Sequence, residues 1–316
     1  MNLTRKSKAA GFSILSNTCL ILLKLGAGIV TGSVSLIAEA IHSVMDLAAA
    51  VVAFVSVRIS DKPPDSQHPF GHGKAENISG VIEGLLIFIA AGLIINEAVH
   101  KIIEGAHLEM LEIGIAIMAV SIVVNIVVSR YLKTVSRDTD SLALEADATH
   151  LTTDVMTMAG VLIGLVIVRL TGLYILDPII AMVVALLIIK AAFDITRKSF
   201  GGLMDTSLPE SEQEAIRGCI LDHSDISLGF HELRTRKVGS QREIDLHLVV
   251  PRSKSVEDAH GICDHLEKDI EEILNRVDVN IHIEPCNADC VICPISCDTV
   301  NGSNLNANQR DGLDIS

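Results

Sequence analysis

Six stretches of this chain are apolar for about twenty residues at a time: 10–31, 34–57, 78–98, 111–128, 148–170 and 176–193. A helix rising 1.5 Å per residue needs roughly 20 such residues to cross a hydrocarbon core about 30 Å thick. In lipid every backbone N–H and C=O must be satisfied within the segment, which leaves helices as the structure available to blocks of this length. With a mean hydropathy of +0.45, no Trp, two Tyr and seven Phe, the composition is too apolar for an ordinary soluble domain. The first block follows Arg5, Lys6 and Lys8 as a signal peptide would. It is too long for such a signal's apolar region, so it is read as a retained helix.

Lys and Arg in short loops orient the bundle. One side collects Arg5, Lys6 and Lys8, then Arg58, Lys62 and Lys74, then Arg130, Lys133 and Arg137, then Arg197 and Lys198; the other has little beyond Lys101 and Arg169. The expectation is an integral membrane protein with both termini cytoplasmic, in a prokaryotic plasma (inner) membrane. Between the first two spans, Thr31, Gly32 and Ser33 leave room only for a tight hairpin.

The chain divides by composition into residues 1–200, 201–285 and 286–316. Residues 201–316 hold 22 of the 39 acidic and 10 of the 25 basic side chains, so nearly all of the formal charge of −14 sits there. An acidic soluble part argues against nucleic acid and anionic lipid headgroups as partners and suits cations. Its pattern reads as helix 212–222, strands 229–237 and 242–250, helix 256–274 with Ser255 as N-cap, and strand 277–283. That order predicts a small two-layer α+β domain. The tail 301–316, rich in Asn, Gly, Asp and Ser, has the composition of a disordered segment.

Ionisable residues inside membrane spans are costly and mark function. The second block carries His42 and Asp46, the fifth His150 and Asp154. Each pair is spaced i, i+4, which places both side chains on one helix face about 6 Å apart along the axis. Two imidazoles and two carboxylates make an N2O2 cage that zinc accepts. A hydrogen-bond network gluing the helices is the competing use of such residues; the motif occurring twice favours metal. Counted from the outer helix ends, His42 lies shallower than His150, so the fifth helix has to tilt or project for the four to meet. Lys24, Glu39, Glu83, Asn17 and Asn125 are further polar residues within the spans, suited equally to helix contacts and to lining a path.

Between the second and third blocks, Asp65, His68 and His72 form a DxxHxxxH motif that can close on one ion, with Pro69, Gly71 and Gly73 favouring a fixed turn. Cys286, Cys290, Cys293 and Cys297 cluster near the end of the chain. A cytoplasmic setting disfavours disulfides, leaving one tetrahedral zinc, an iron–sulfur cluster or free thiols.

In combination and order, these motifs resemble the cation diffusion facilitator family of metal/proton antiporters, and specifically its zinc transporters. The resemblance covers roughly residues 8–286. It rests on Ser35 to Asp46 (SLIAEAIHSVMD), His68 to Glu76 (HPFGHGKAE), Asp147 to Asp154 (DATHLTTD) and Asp205 to Pro209 (DTSLP). It implies a homodimer in membrane lipid, six transmembrane helices, and a C-terminal cytoplasmic α+β ferredoxin-like domain for metal sensing and dimerisation. Carried over by position, it implies transport at His42, Asp46, His150 and Asp154, a loop site at Asp65, His68 and His72, and a dimer hinge pairing Lys74 with Asp205. It also implies a dinuclear zinc centre in the soluble domain on His231, His247, His260, His282 and Glu284, the last where relatives more often have Asp. The Cys tail is outside the family's pattern.

The implied activity is secondary transport rather than catalysis: efflux of Zn2+, with Co2+ and Cd2+, against protons as the coupling ion, and with Zn2+ also as a regulatory ligand. Alternating access would come from rocking of the helix pair that carries the site. His42 stands where many bacterial relatives have Asp, and more imidazole favours zinc over iron, manganese or magnesium. An Fe2+ or Mn2+ exporter of the same fold and a non-transporting membrane metal sensor are the competing functions.

Overall fold

The computed structural model describes residues 4–31, 34–104, 112–171, 175–223 and 227–286. Six long helices come first: α1 (Arg5–Thr31), α2 (Val34–Ser60), α3 (Ala75–Glu104), α4 (Glu112–Thr139), α5 (Leu142–Thr171) and α6 (Leu176–Leu203). At 27 to 30 residues each they reach about 40 Å or more, longer than the apolar blocks. The extra turns are polar, since backbone hydrogen bonding propagates past the point where the side chains stop being apolar. Among the described residues, α1, α3, α4 and α6 are long and apolar enough to cross a membrane. The other two, α2 and α5, hold the His/Asp pairs.

The helices pack as two groups. Ala9 and Ala10 of α1, Val57 of α2, Val128, Leu132 and Val135 of α4, and Ala143, Leu144, Ala148 and Leu151 of α5 share one buried cluster. Ile87 and Ala91 of α3 pack with Ile188 and Ala192 of α6 in another. Small residues bring α3 and α6 close, as expected where lipid supplies no hydrophobic drive between helices. A Cβ on Gly84 would collide with Thr196, one on Gly80 with Ser199 and one on Gly202 with Asn77. α3 and α6 are thus a close pair, and Leu142 and Ala146 of α5 pack on Ile195 of α6 to join that pair to the rest of the bundle.

A second compact unit begins at Thr206. It contains α7 (Glu210–Asp222), β1 (Gly229–Val238), β2 (Gln241–Val250), α8 (Val256–Ile273) and β3 (Val277–Pro285), within two residues of the expected bounds at every end. The sheet order is β1-β2-β3. Gly239 (φ +63°) supplies the left-handed residue that the two-residue turn between β1 and β2 requires, while β2 and β3 run parallel, joined by the α8 crossover. Alternation in β2 sends Ile244, Leu246, Leu248 and Val250 inward, where they pack on Ile216 and Ile220 of α7 and Ile262, Leu266 and Ile270 of α8. Ser255 caps α8 through a reciprocal capping box with Asp258. The result is the two-layer ferredoxin-like α+β domain, with one sheet face under the helices and the other left for polar side chains.

Candidate metal sites

Asp46 on α2 and His150 on α5 meet inside the helical unit. His150 Nε2 lies 3.3 Å from Asp46 Oδ1 and 4.0 Å from Asp154 Oδ2. Ligand atoms of the three residues fall within 4.8 Å of one another. The i, i+4 spacing on α5 explains the inner pair, and helix crossing supplies Asp46. Asp46 and His150 are thus level. The side chain of His42, one turn before Asp46, lies outside the described residues, as does that of Glu39.

The cluster borders a cavity of about 360 Å³ whose polar lining includes Asn17, Lys24, Ser43, Glu97, Asn125 and Thr157. Lys24 Nζ donates to Ser43 Oγ at 2.7 Å. Glu83 of α3 and Asp147 of α5 are wholly buried, and both interact electrostatically with His150. Of the polar residues noted from sequence, Asn17, Lys24 and Asn125 line the cavity. Asp147, the first residue of the DATHLTTD stretch, stands one residue ahead of the apolar block in sequence, yet it is the sixth residue of α5.

In the loop after α2, Asp65 Oδ1 accepts from the backbone N–H of Gln67 and His68 at 2.9 and 2.7 Å. Gly71 (φ +78°) turns the chain so that His72 returns beside His68, with ring centroids 4.5 Å apart. Asp65 Oδ1 is 3.3 Å from His68 Nδ1 and Asp65 Oδ2 is 3.3 Å from His72 Nε2. The His68 N–H, above all, holds the Asp65 carboxyl below its usual range, so it is an ionised ligand at neutral pH. Just beyond, Lys74 Nζ and Asp205 Oδ1 form a 3.0 Å ion pair.

The open sheet face of the second unit carries the third cluster. Register pairs His247 with His282 and Val249 with Glu284, so both His and the Glu project from the face opposite the core. Glu284 reaches His231 Nε2 at 3.1 Å, His247 Nδ1 at 3.0 Å and His282 Nε2 at 3.9 Å. Partial burial would push the Glu284 carboxyl up, but hydrogen bonds from His247 and His231 outweigh it and hold it low. Glu232 also approaches His247, at 3.9 Å; it was not read from the sequence. His260 stands apart on α8, 3.6 Å from Asp264, and among the described residues joins no three-ligand group. Cys286 is half-buried and a free thiol, while Cys290, Cys293 and Cys297 lie outside the described residues.

Both units of the chain are similar to known proteins. Residues 11–204 match the cation efflux transmembrane domain and 208–286 the cation efflux protein cytoplasmic domain. An uncharacterized transporter of Synechocystis is 38% identical over 83% of this chain and 85% of its own. The cation-efflux pump FieF of Salmonella newport is 30% identical over 89% of this chain and 93% of its own. Among solved structures, the Zn form of CzrB is 35% identical over 26% of this chain and 92% of its own, with a TM-score of 0.25. The metal-bound C-terminal domain of the Thermotoga maritima CzcD transporter is 26% identical over 24% and 87%, with a TM-score of 0.23. Covered from residue 11 to 286 by the family's two domains, and by its relatives over most of both lengths, the chain belongs to the cation efflux, or cation diffusion facilitator, family of membrane transporters.

Proposed function

We propose that this transporter exports Zn2+, and with it Co2+ and Cd2+, in exchange for protons. The observation that carries the reading is the meeting of the partly buried Asp46 and Asp154 with the buried His150 beside a polar-lined cavity. Two carboxylates within reach of one imidazole, in surroundings of low dielectric, need positive charge to persist. A divalent ion and protons satisfy the same atoms in turn. The ion requires neutral His and ionised Asp, so loading releases protons and protonation expels the ion. His42, i−4 from Asp46 on α2, would complete an N2O2 set; a second imidazole tilts the site towards zinc and away from iron or manganese. Access would alternate by rocking of the α2–α5 pair that carries the site against the other four helices.

The remaining clusters fit regulation. The Lys74–Asp205 pair would hinge a homodimer, and Zn2+ on Asp65, His68 and His72 would set the loop beside it. Zn2+ on His231, His247, His282 and Glu284, with His260, would bind in the cytoplasmic domain and report cytosolic metal. The basic loops support cytoplasmic termini, and the membrane would be a prokaryotic plasma (inner) membrane.

The test is metal uptake into proteoliposomes under an imposed pH gradient, comparing zinc, cobalt, cadmium, iron and manganese. Zinc flux should follow the gradient and fall at least about 100-fold in Asp154→Ala and His150→Ala, given that even outer-shell changes cost about 10- to 100-fold. Each variant should still elute as a folded species. Zinc flux indifferent to Asp154→Ala, or iron carried in preference to zinc, would overturn the assignment.

A further inference from the structure

The helical layer of the second unit holds a fourth cluster that the transport reading does not use. His223 closes α7, and its Nδ1 sits 2.8 Å from the carbonyl oxygen of Cys219. A carbonyl can only accept, so Nδ1 carries the proton and donates it. That bond sets the tautomer and leaves the lone pair of the neutral ring on Nε2, the arrangement by which a backbone carbonyl orients a metal-binding imidazole. Nε2 is directed at Asp269 Oδ2 on α8, 2.8 Å away. A lone pair facing a carboxylate oxygen at that distance is repulsive unless a cation lies between them, either a second ring proton or a metal ion.

His265 decides between the two. It lies one turn before Asp269 on the same face of α8 and brings its Nε2 to 3.8 Å from the same oxygen. Its ring meets that of His223 edge-on, with centroids 5.1 Å apart. An imidazolium–carboxylate pair has no use for a second imidazole so placed. A tetrahedral ion bound at about 2.0–2.2 Å by N and O ligands holds those atoms roughly 3.3 Å apart, and the observed 2.8 and 3.8 Å straddle that value. All three ligand atoms lie within 4.8 Å of one another. The end of α7 adds the negative pole of its helix dipole, so the local field favours a cation.

We propose that His223, His265 and Asp269 form an intrachain site for a borderline divalent cation, zinc foremost, which pins the end of α7 to α8. An N2O donor set with water as fourth ligand suits Zn2+ and Co2+ and suits Mg2+ or Ca2+ poorly. The site lies on the helical layer, whereas the His231–His247–His282–Glu284 cluster lies on the opposite face of the sheet, so the two can load independently. It needs no ligand from a second chain, which makes the domain responsive to metal before any change between subunits.

The experiment uses the full-length protein in detergent, stripped by chelator and titrated with Zn2+ alone by equilibrium dialysis. His265→Ala is the informative variant, because His265 is 59% exposed and its loss leaves the core intact; thermal melting in chelator checks this. Wild type should bind one Zn2+ per chain that His265→Ala either loses or holds at least about 10-fold more weakly. His247→Ala should remove a different equivalent, and the two losses should add in the double variant. Zn2+ should also slow hydrogen exchange at the end of α7 in wild type and not in His265→Ala. Identical stoichiometry and affinity in wild type and His265→Ala would overturn the proposal and leave His223 and Asp269 as a plain ion pair.

Discussion

Glu76 stands in the first turn of α3 and is wholly buried. Its Oε1 accepts from Lys6 Nζ at 2.9 Å and from Ser60 Oγ at 2.8 Å; its Oε2 accepts from Ser141 Oγ at 2.6 Å and from the Ala143 N–H at 3.4 Å. One carboxylate thus ties the first turn of α1, the last residue of α2 and the start of α5 to α3. Replacing it by Gln keeps the volume and one acceptor but leaves the Lys6 ammonium, 5% exposed, without its neutralising partner. Breaking a buried pair from one side costs about 3–5 kcal/mol. Asp61, 3.8 Å from Lys6 Nζ and partly open to water, takes up some of that charge, so about 3 kcal/mol is expected. Lys6→Met should cost a similar amount by stranding the carboxylate. The double variant removes both charges while Gln keeps its bonds to the two serines, so it should recover about 2 kcal/mol or more of the summed loss. Reversible unfolding of all four proteins in mixed micelles, with and without 1 M NaCl, measures the coupling. Salt should leave the coupling nearly unchanged, because buried charges are poorly screened. Additivity within about 0.5 kcal/mol, the range for independent sites, would refute the hub.

Three further outcomes follow from the packing and the caps. Gly84→Leu should prevent close approach of α3 to Thr196 on α6 and abolish recovery of folded protein, whereas Gly84→Ala, which the Thr196 side chain can avoid by rotating, should be recovered at reduced thermal stability. Ser255→Ala should cost α8 about 1 kcal/mol, read as faster hydrogen exchange at its first turn. The Ser255 hydroxyl also holds the Asp258 carboxyl below its usual range, so in wild type this stabilisation is present above about pH 4 and fades as pH falls through the lowered folded-state value; the fade should shrink in Ser255→Ala, which keeps only the backbone N–H of residue 255 and Lys254 acting on Asp258. Burial pushes the Cys263 thiol up to about 11, so at pH 8 iodoacetamide should label Cys263 only after the domain unfolds, as followed by peptide mass mapping.

What the sequence discloses of the fold follows from where solvent enforces a pattern. In β2 water lies on one side and core on the other, so Ile244, Leu246, Leu248 and Val250 alternate, and all four are buried. Ser255 and Asp258 are visible because a cap is a local arrangement of neighbours in sequence. Helix lengths are not visible in this way: apolar blocks mark the slab of lipid, whereas α4 runs on through Arg130 and Arg137 to Thr139 with no change in backbone geometry to signal where the apolar part ends. Which helices group together is equally hidden. Ala and Gly look alike along all six, and it takes the collisions a Cβ would make at Gly80, Gly84 and Gly202 to identify α3 and α6 as a close pair.

The sites obey the same logic with a different background. Asp46, His150 and Asp154 stand out because the surrounding residues are apolar and a charge there is expensive; each is improbable without a use. Asp147, more deeply buried than any of the three, is concealed by a single position, since it precedes the apolar block and reads as a loop acid. His265 and Asp269 have the same i, i+4 spacing as His150 and Asp154, yet on α8 they sit among Glu257, Asp258, Asp264, Glu267, Glu271 and Glu272, where a charged helix face is the ordinary condition of a soluble domain. The third ligand, His223, belongs to another helix, and no spacing rule connects the two. A ligand pair is therefore informative from sequence in proportion to what its surroundings forbid, and on a soluble acidic helix it takes the convergence of His223 and His265 on one Asp269 oxygen to raise a metal site above a surface charge.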